Sequence, residues 1–507
     1  MTEKFAWKWS WLPGVAGAWL ALVALRLLTF GAGENDVDCF FHVAIVQQGW
    51  NVFAAPAFPT LTMSVWTTSF SDRELLYHLF LRGLLELQNG GEPAVFPFHF
   101  PALVFAGLLP LALAVTLGRL HARWLWLWPL LLVALDPEYT CRVLMLRPYV
   151  MAMSILILSC AALAWCDRPR RCGLLFLCGF VMAWSYSNPH FILLPAAGFA
   201  VAVWRRDRKL AVLLPITALL GVLVGLTLHP QFPNTLLNWK TQCVDVLLAR
   251  YNAPYLGFGD ELYMGGWRNW LRHPGLLALG AVNLTLALAL WRRGEQRDRE
   301  LRLALLLPAL ATLVGMLLFG RLVEYAAPFN VLASALLFTA GLRQDDRSIK
   351  RMVRTGFLVL LAATGFYTVW CFAHAAVGTQ HPDDDFAVWA RRAGIPPGTV
   401  IANVNWSDFP ALYYSAPEYR YLHGIEPMFG YAAFPDRIRK LELFRTGRMK
   451  LTPAQLREVT GSELVFISAA GWELARDMAR TGYKIVYQGR DGWVFRLPPE
   501  TKVTNHG

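Results

Sequence analysis

Long apolar stretches recur through the first three quarters of this sequence, and they constrain its fold more than any other feature. A helix needs about 20 apolar residues to cross the ~30 Å hydrocarbon core of a bilayer. We predict eleven such helices, at about 11–30, 98–118, 122–136, 142–165, 172–188, 190–204, 209–229, 272–292, 301–320, 322–341 and 353–375. The expected fold class is therefore mainly α, a polytopic helical membrane protein.

The composition also indicates that lipid surrounds much of the chain. The 507 residues are 56% hydrophobic and only 16% charged, whereas soluble domains average about 25% charged residues. The formal charge of +12 falls in short clusters between the apolar stretches, so we expect membrane lipids and no nucleic acid as partners. The eight cysteines show no CxxC pair and no zinc spacing, which argues against a disulfide framework.

Clusters of Lys and Arg orient the predicted spans, because cytoplasmic loops are enriched in these residues. With eleven spans every cluster falls on one side. The clusters are Lys4 and Lys8; Arg119 and Arg123; Arg168, Arg170 and Arg171; Arg205–Lys209; Arg292–Arg302; and Arg343–Arg354. We predict a multi-pass protein of the inner cell membrane, with a cytoplasmic N-terminus and a C-terminal domain outside the cytoplasm.

The outer side then receives two long loops and the tail. The predicted membrane domain, 1–375, carries the loops 31–97 and 230–271, and the first loop contains two helical stretches expected at the membrane interface. In the tail, glycine and proline separate β-rich runs that alternate with helical runs. This pattern predicts a small α/β domain over 376–507.

Ionisable residues at the predicted outer face are functional candidates, because a charge at membrane depth is costly unless it is paired. Arg142 and Arg147 head the predicted fourth span, and Arg147 is expected about 7 Å deeper at helical rise. Arg321 and Glu324 lie one turn apart between the ninth and tenth spans. The structural alternatives are an ion pair between Arg321 and Glu324 and snorkelling of Arg142 to lipid headgroups.

An acidic segment, Glu34–His42, directly follows the first span. Asp36 and Asp38 share a face if the segment is extended, whereas Asp38 and His42 share a face if it is helical. The structural alternative is a solvated acidic turn that caps a helix.

This segment resembles the first outer loop of the GT-C glycosyltransferases, in which an acidic residue followed by aromatics comes after the first span. That superfamily includes protein O-mannosyltransferases, aminoarabinose transferases and oligosaccharyltransferases. The layout is similar too, with a long first outer loop, many spans and an outer C-terminal domain. The Trp-Trp-Asp acceptor motif of oligosaccharyltransferases is absent, so transfer to Asn is not expected.

The resemblance implies transfer of one sugar from a polyprenyl-phosphate carrier to a lipid, glycan or protein acceptor, by inverting single displacement. Such a reaction needs a carboxylate to deprotonate the acceptor hydroxyl and fixed cations to hold the departing phosphate. We expect Asp38 to be the base, with Asp36 as the fallback. The expected donor-binding residues are Arg147, Arg321, Arg142 and Glu324.

Several expectations stay open at the level of sequence. Further substrate contacts are expected from His42, His190, Asp260 and Glu261. No cofactor is required in this scheme, since the leaving phosphate is already anionic; the alternative is a Mg or Mn ion held by Asp38 and Glu261. The alternative functions are a transporter or flippase of a lipid-linked substrate, which predicts inverted repeats, and a non-catalytic membrane subunit. In the non-catalytic case Asp38 and Arg147 would be dispensable.

Overall fold

The chain folds into two compact units. The computed structural model describes residues 9–30, 34, 36–89, 98–164, 167–259, 266–291, 293–374 and 384–498. The first unit contains residues 1–35, 79–228 and 259–379, and the second contains 36–78, 229–258 and 380–507. Parts of both predicted outer loops therefore belong to the same unit as the tail.

Helices dominate the chain before the tail. In chain order they are α1 (Leu12–Phe30), α2 (Asp38–Gln47), α3 (Leu75–Asn89), α4 (His99–Arg119), α5 (Leu127–Ala134), α6 (Pro137–Leu144), α7 (Pro148–Ser159), α8 (Arg168–Ser185), α9 (Leu193–Val203), α10 (Arg208–Thr227), α11 (Asn234–Lys240), α12 (Val246–Asn252), α13 (Trp267–Leu271), α14 (Pro274–Leu290), α15 (Gln296–Gly315), α16 (Val323–Leu342) and α17 (Arg347–His374).

The helices confirm a polytopic membrane protein, although they differ in length from the predicted spans. Within the described ranges, five helical segments are long and apolar enough to cross a membrane: α1, α4, α10, the segment containing α16, and α17. The pair α6 and α7 would add a sixth, bent by 110°. Shorter apolar helices occupy several other predicted spans, so the number eleven stays a prediction.

The stretch from residue 122 to 165 departs most from the prediction. Helix α5 has only eight residues, about 12 Å at helical rise, and α6 is a separate helix that follows it. The predicted fourth span is broken between Leu144 and Pro148, and Pro148 takes the first position of α7, where its missing N–H costs nothing. The expected 7 Å depth of Arg147 below Arg142 is wrong, because one helix does not carry both residues.

Glycines let α8 and α10 pack closely in the first unit. A Cβ added at Gly179 would collide with the carbonyl oxygen of Ala218, and one added at Gly221 would collide with that of Phe176. Small residues at such contacts are typical of helix pairs in membranes, where close backbone approach supplies the packing energy.

The tail adds helices and a five-stranded sheet to the second unit. They are α18 (Asp384–Arg392), β1 (Val400–Asn403), α19 (Phe409–Ser415), β2 (Arg420–Tyr421), α20 (Pro427–Ala433), α21 (Pro435–Arg445), α22 (Pro453–Thr460), β3 (Leu464–Ser468), α23 (Trp472–Arg480), β4 (Lys484–Gln488) and β5 (Gly492–Arg496). The strand order is β2-β1-β3-β5-β4; β1 pairs in parallel with β2 and β3, and β5 pairs antiparallel with β3 and β4. The predicted α/β tail is confirmed.

Both loop segments of the second unit join this sheet region. Leu61 forms a parallel bridge with Tyr421, and the indole Nε1 of Trp66 donates to Asn238 Oδ1 at 2.7 Å. Trp406 Nε1 donates to the carbonyl of Gly257 at 2.7 Å. The second unit is therefore built from three separate stretches of chain.

Helix α3 forms where the sequence predicts it, but a different face is buried. Helical spacing in the sequence predicts that Leu75, Leu76, Leu79, Phe80 and Leu84 lie near one face, whereas Phe80 is 55% exposed. The buried residues are Leu75, Tyr77, His78, Leu81 and Leu85; all but Tyr77 follow the three-to-four-residue spacing of one helical stripe.

Candidate active site

The acidic segment is helical from Asp38 onward, where α2 begins. Asp38 is the first residue of α2 and is half-buried, so Asp38 and His42 lie one turn apart on the same face. Asp36 lies before the helix, is nearly buried, and its Oδ1 accepts the backbone N–H of Asp38 at 3.4 Å. Asp36 thus satisfies a backbone donor at the helix start, as a capping carboxylate does.

A chain of three buried side chains continues from α2. His42 Nδ1 lies 2.9 Å from His78 Nε2, and His78 Nδ1 lies 2.8 Å from both carboxylate oxygens of Asp72. The exposed fractions are 6% for His42, 0% for His78 and 3% for Asp72. Sequence reasoning anticipated His42 but missed Asp72 and His78, whose only signal is their spacing of six residues across the start of α3.

Asp72, the last residue of this hydrogen-bonded series, is held in place by Gln231. The backbone N–H of Asp72 donates to Gln231 Oε1 at 2.6 Å, and Gln231 Nε2 donates to the carbonyl of Ala55 at 2.8 Å. His229 is buried beside Asp72; burial lowers the pKa of His229, and the Asp72 carboxylate opposes that shift. Residues of the second loop therefore hold the first loop at this point.

In the first unit, two of the predicted phosphate-binding arginines lie beside Glu324. Its carboxylate is fully buried; Arg142 Nε donates to Oε1 at 2.8 Å, and Arg321 Nε lies 3.6 Å from Oε2. We call Arg142, Arg321 and Glu324 the Glu324 cluster. The predicted alternative of an Arg321–Glu324 ion pair is present, and Arg142 joins it, so the cluster carries one net positive charge.

Aromatic residues contact both arginines of the Glu324 cluster. The Arg142 guanidinium carbon lies 5.3 Å from the ring centre of Tyr149, a cation–π distance. Arg321 Nη2 donates to the hydroxyl of Tyr186 at 3.4 Å, and the Tyr325 hydroxyl donates to the same oxygen at 2.9 Å. These contacts fix both guanidinium groups in direction.

The remaining predicted residues are placed as follows. Arg147 is the half-buried N-cap of α7, where the positive end of the helix dipole adds to its own charge. His190 lies in the short turn before α9 and stacks on Phe191 at 5.1 Å between ring centres. Asp260 and Glu261 lie outside the described residues. Among the residues that the structure describes, no group of three or more His, Cys, Asp or Glu side chains is arranged to hold a metal ion.

A buried network at the end of α1 was missed by the sequence analysis. Arg26 is fully buried and forms an ion pair with the buried Glu34. Its Nε donates to His99 Nδ1 at 3.0 Å, and its Nη1 donates to the carbonyl of Leu144. The signal was available, since Arg26 is the one charged residue of an otherwise apolar span. This network ties α1 to α4 and α6.

Comparison with solved structures identifies the fold. The Archaeoglobus fulgidus oligosaccharyltransferase tethered with an acceptor peptide superposes with a TM-score of 0.61 at 12% identity, covering 97% of this chain and 74% of that one. ArnT from Cupriavidus metallidurans, bound to undecaprenyl phosphate, gives 0.56 at 14% identity over 97% and 99% of the two chains. The arabinofuranosyltransferase AftD from Mycobacteria gives 0.54 at 13% identity over 95% and 40%. The chain has the GT-C fold.

The GT-C fold confirms the resemblance drawn from Asp38–His42 and from the layout of spans and tail. Compared by sequence, the chain matches no family model and no curated protein. At 12–14% identity the likeness establishes architecture, and function must be argued from the residues.

Proposed function

We propose that this GT-C protein transfers one sugar from a polyprenyl-phosphate-linked donor to a hydroxyl group of a lipid, glycan or protein acceptor. The observation that carries the proposal is a half-buried carboxylate, Asp38, at the start of the loop helix that follows the first span of a GT-C fold. The undecaprenyl phosphate bound to ArnT supports a polyprenyl phosphate carrier as the donor class.

In the proposed reaction Asp38 is the base. Its carboxylate takes the proton of the acceptor hydroxyl as the acceptor oxygen bonds to the anomeric carbon, and the bond from that carbon to the phosphate oxygen breaks. The electron pair leaves with the phosphate, and because the acceptor oxygen attacks from the face opposite the phosphate, the configuration at the anomeric carbon inverts. Asp36, which lies before α2, is the fallback candidate for this base.

The departing phosphate gains negative charge and needs fixed cations. Arg147 is the first choice, because it combines a guanidinium group with the N-terminus of α7, where helices favour anions. Arg142 and Arg321 also contribute, but Glu324 neutralises one of their two charges. Glu324 orients these arginines rather than contacting the phosphate.

A transfer assay tests the proposal directly. Purified protein in liposomes is incubated with radiolabelled polyprenyl-phosphate sugars and a membrane lipid extract as acceptor. We expect labelled product of inverted anomeric configuration and release of polyprenyl phosphate. Movement of intact donor between leaflets without cleavage would establish a flippase instead. If the protein neither transfers the sugar nor moves any donor tested, the non-catalytic subunit is the remaining alternative.

The same assay decides the metal requirement. Because the leaving group is an anionic phosphate held by arginines, we propose that transfer needs no cofactor, so EDTA should leave the rate unchanged. Loss of transfer in EDTA with recovery in Mg²⁺ or Mn²⁺ would contradict this and favour a cation held by Asp38 and Glu261. A Glu261→Gln variant would then lose the metal-dependent rate.

A further inference from the structure

Asp72, His78 and His42 are joined by hydrogen bonds in an order that fixes their protons. Asp72 Oδ1 also accepts the backbone N–H of Glu74 at 3.1 Å, so this carboxylate acts as an acceptor toward two donors. His78 Nδ1 must then carry the hydrogen that it shares with Asp72. In a neutral His78 ring, Nε2 is left with a lone pair.

The hydrogen on His78 Nδ1 also determines which ring nitrogen of His42 carries a hydrogen. The nitrogens His42 Nδ1 and His78 Nε2 are 2.9 Å apart, and one must donate while the other accepts. Since His78 Nε2 is the acceptor, His42 Nδ1 donates and its lone pair is on Nε2. A proton arriving at Nε2 would give an imidazolium whose charge is stabilised through His78 by the Asp72 carboxylate.

The position of His42 connects this chain of bonds to the proposed base. Side chains on a helix lean toward its N-terminus, so His42 leans back along α2 toward Asp38, one turn before it. Two other titratable groups lie beside the three residues: Tyr77 on α3, whose ring lies 5.4 Å from that of His42, and His229 beside Asp72. Asp36 lies before α2, where it accepts the backbone N–H of Asp38.

We propose a proton relay in which His42, positioned by His78 and Asp72, takes the acceptor proton from Asp38 and returns Asp38 to its carboxylate form. The proposal rests on the proposed sugar transfer. The acceptor proton passes first to the Asp38 carboxylate and then to the lone pair of His42 Nε2, and the Asp38 O–H bond breaks as the His42 N–H bond forms. Asp72 and His78 are positioning residues, since they act through His42.

The pH dependence of transfer tests the relay with three variants. In the wild type, protonation of His42 should depress turnover at acidic pH. Asp72→Asn keeps an oxygen acceptor but removes the negative charge, so the acidic limb should move to lower pH by about one unit, with turnover reduced about tenfold and KM unchanged. His42→Gln should remove the limb, whereas the exposed control His374→Gln should leave the profile unchanged.

A second readout separates failure of the relay from failure of sugar transfer. Nitrogen-15 NMR of histidine-labelled protein in bilayers, with His42 assigned from His42→Gln, should show hydrogen on Nδ1 and a titration midpoint that Asp72→Asn lowers. An unchanged midpoint, or hydrogen on Nε2, overturns the relay even if transfer is active. Absence of transfer in the wild type overturns the proposed function, and the NMR result still decides whether the relay exists.

The first unit also contains a cavity. It has a volume of about 930 Å³ and lies among α9, α10, α14 and α15. Apolar side chains such as Val201, Pro215 and Leu303 line its walls, and Trp204 and Trp291, about half exposed, flank it. Exposed tryptophans are typical of the interface between membrane and water.

The cavity holds an excess of positive charge. Arg205, Arg299 and Arg302 line it together with Glu300, but Glu300 pairs with Arg206 at 2.9 Å. Arg302 donates to backbone carbonyls of Leu290 and Arg293. Arg205 and Arg299 have no carboxylate partner among the described residues, so their charges are available to an anionic ligand.

We infer that this cavity binds one anionic glycerophospholipid, with its phosphate on Arg205 and Arg299 and an acyl chain along the apolar wall. A basic pocket between membrane helices fits such a headgroup. Native mass spectrometry from a mixture of phosphatidylglycerol, phosphatidylcholine and polyprenyl phosphate should show preferential binding of phosphatidylglycerol. The double variant Arg205→Gln/Arg299→Gln should lose that preference, and Arg347→Gln/Arg351→Gln, from the same predicted side, should keep it. Equal binding of both lipids, or preference for polyprenyl phosphate, would overturn the inference.

Discussion

Glu324 is a fully buried carboxylate whose stability depends on its arginines. Breaking a buried ion pair from one side leaves an uncompensated charge and costs about 3–5 kcal/mol. Arg321 stays beside Glu324 in Arg142→Gln, so we expect this variant to lower the free energy of unfolding by less than that, about 1–3 kcal/mol, measured as a lower melting temperature in detergent. The double variant Arg142→Gln/Glu324→Gln removes the charge as well and should recover most of the loss. A double variant no more stable than the single one would contradict a pairing role for Arg142.

At the level of residues, sequence reasoning succeeded where a contact is local. The sequence left an extended and a helical form of the acidic segment open, and α2 is the helical form, in which Asp38 and His42 are one turn apart. The Arg321–Glu324 ion pair also joins positions one turn apart. The partners Asp72 and His78, and the participation of Arg142 beside Glu324, depend on segments that meet only in the folded chain. No local pattern encodes such a meeting, so these contacts could not be derived from one sequence.

The α8–α10 contact allows a test with two glycines of different surroundings. Gly221→Ala should push the helices apart, because the new methyl group meets the backbone carbonyl of Phe176, and we expect a cost of about 1–3 kcal/mol. Gly173→Ala, on α8 with open space around its Cβ position, should be neutral or stabilise by up to about 1 kcal/mol. Thermal unfolding of both variants in detergent measures the difference. Equal melting temperatures would show that this close packing contributes nothing.

At the level of elements, uniform apolar runs were predicted well and the break near residue 145 was not. Helices α1, α4, α10, α16 and α17 follow their apolar stretches closely. Hydrophobicity separates the predicted spans 122–136 and 142–165 but gives no stop near residue 145, and the helix boundaries come from local chemistry: Asp136 caps α6, and Pro137 and Pro148 open new helices. Capping signals inside an apolar run were the information that the span prediction ignored.

At the scale of the whole molecule, His423 makes the stability of the second unit depend on pH. It is fully buried, and burial lowers the pKa of its imidazole to about 4, from 6.5 in the unfolded chain. Between these values the unfolded chain binds a proton that the folded chain does not, so stability present above pH 6.5 is lost as the pH falls. The loss approaches about 3 kcal/mol. Burial raises the pKa of Asp408 and Glu442, which acts in the opposite direction.

We expect acidification from pH 7 to pH 4.5 to favour limited proteolysis of the tail more in the wild type than in His423→Gln, because His423 opposes the stabilisation that Asp408 and Glu442 supply at low pH. His423→Gln cannot titrate, so its tail should show less acid sensitivity, while His374→Gln should behave like the wild type. Identical acid sensitivity of His423→Gln and the wild type would exclude His423 as the source.

The central claim is that Asp38 performs the chemistry of a sugar-transferring GT-C protein. The most direct measurement is the initial rate of transfer from a radiolabelled polyprenyl-phosphate sugar by Asp38→Asn and Asp36→Asn, each with the melting temperature of the wild type. Loss of a general base costs about 10²–10⁴ in rate. The account predicts a loss of that size for Asp38→Asn and a much smaller one for Asp36→Asn; full activity in both variants would contradict it.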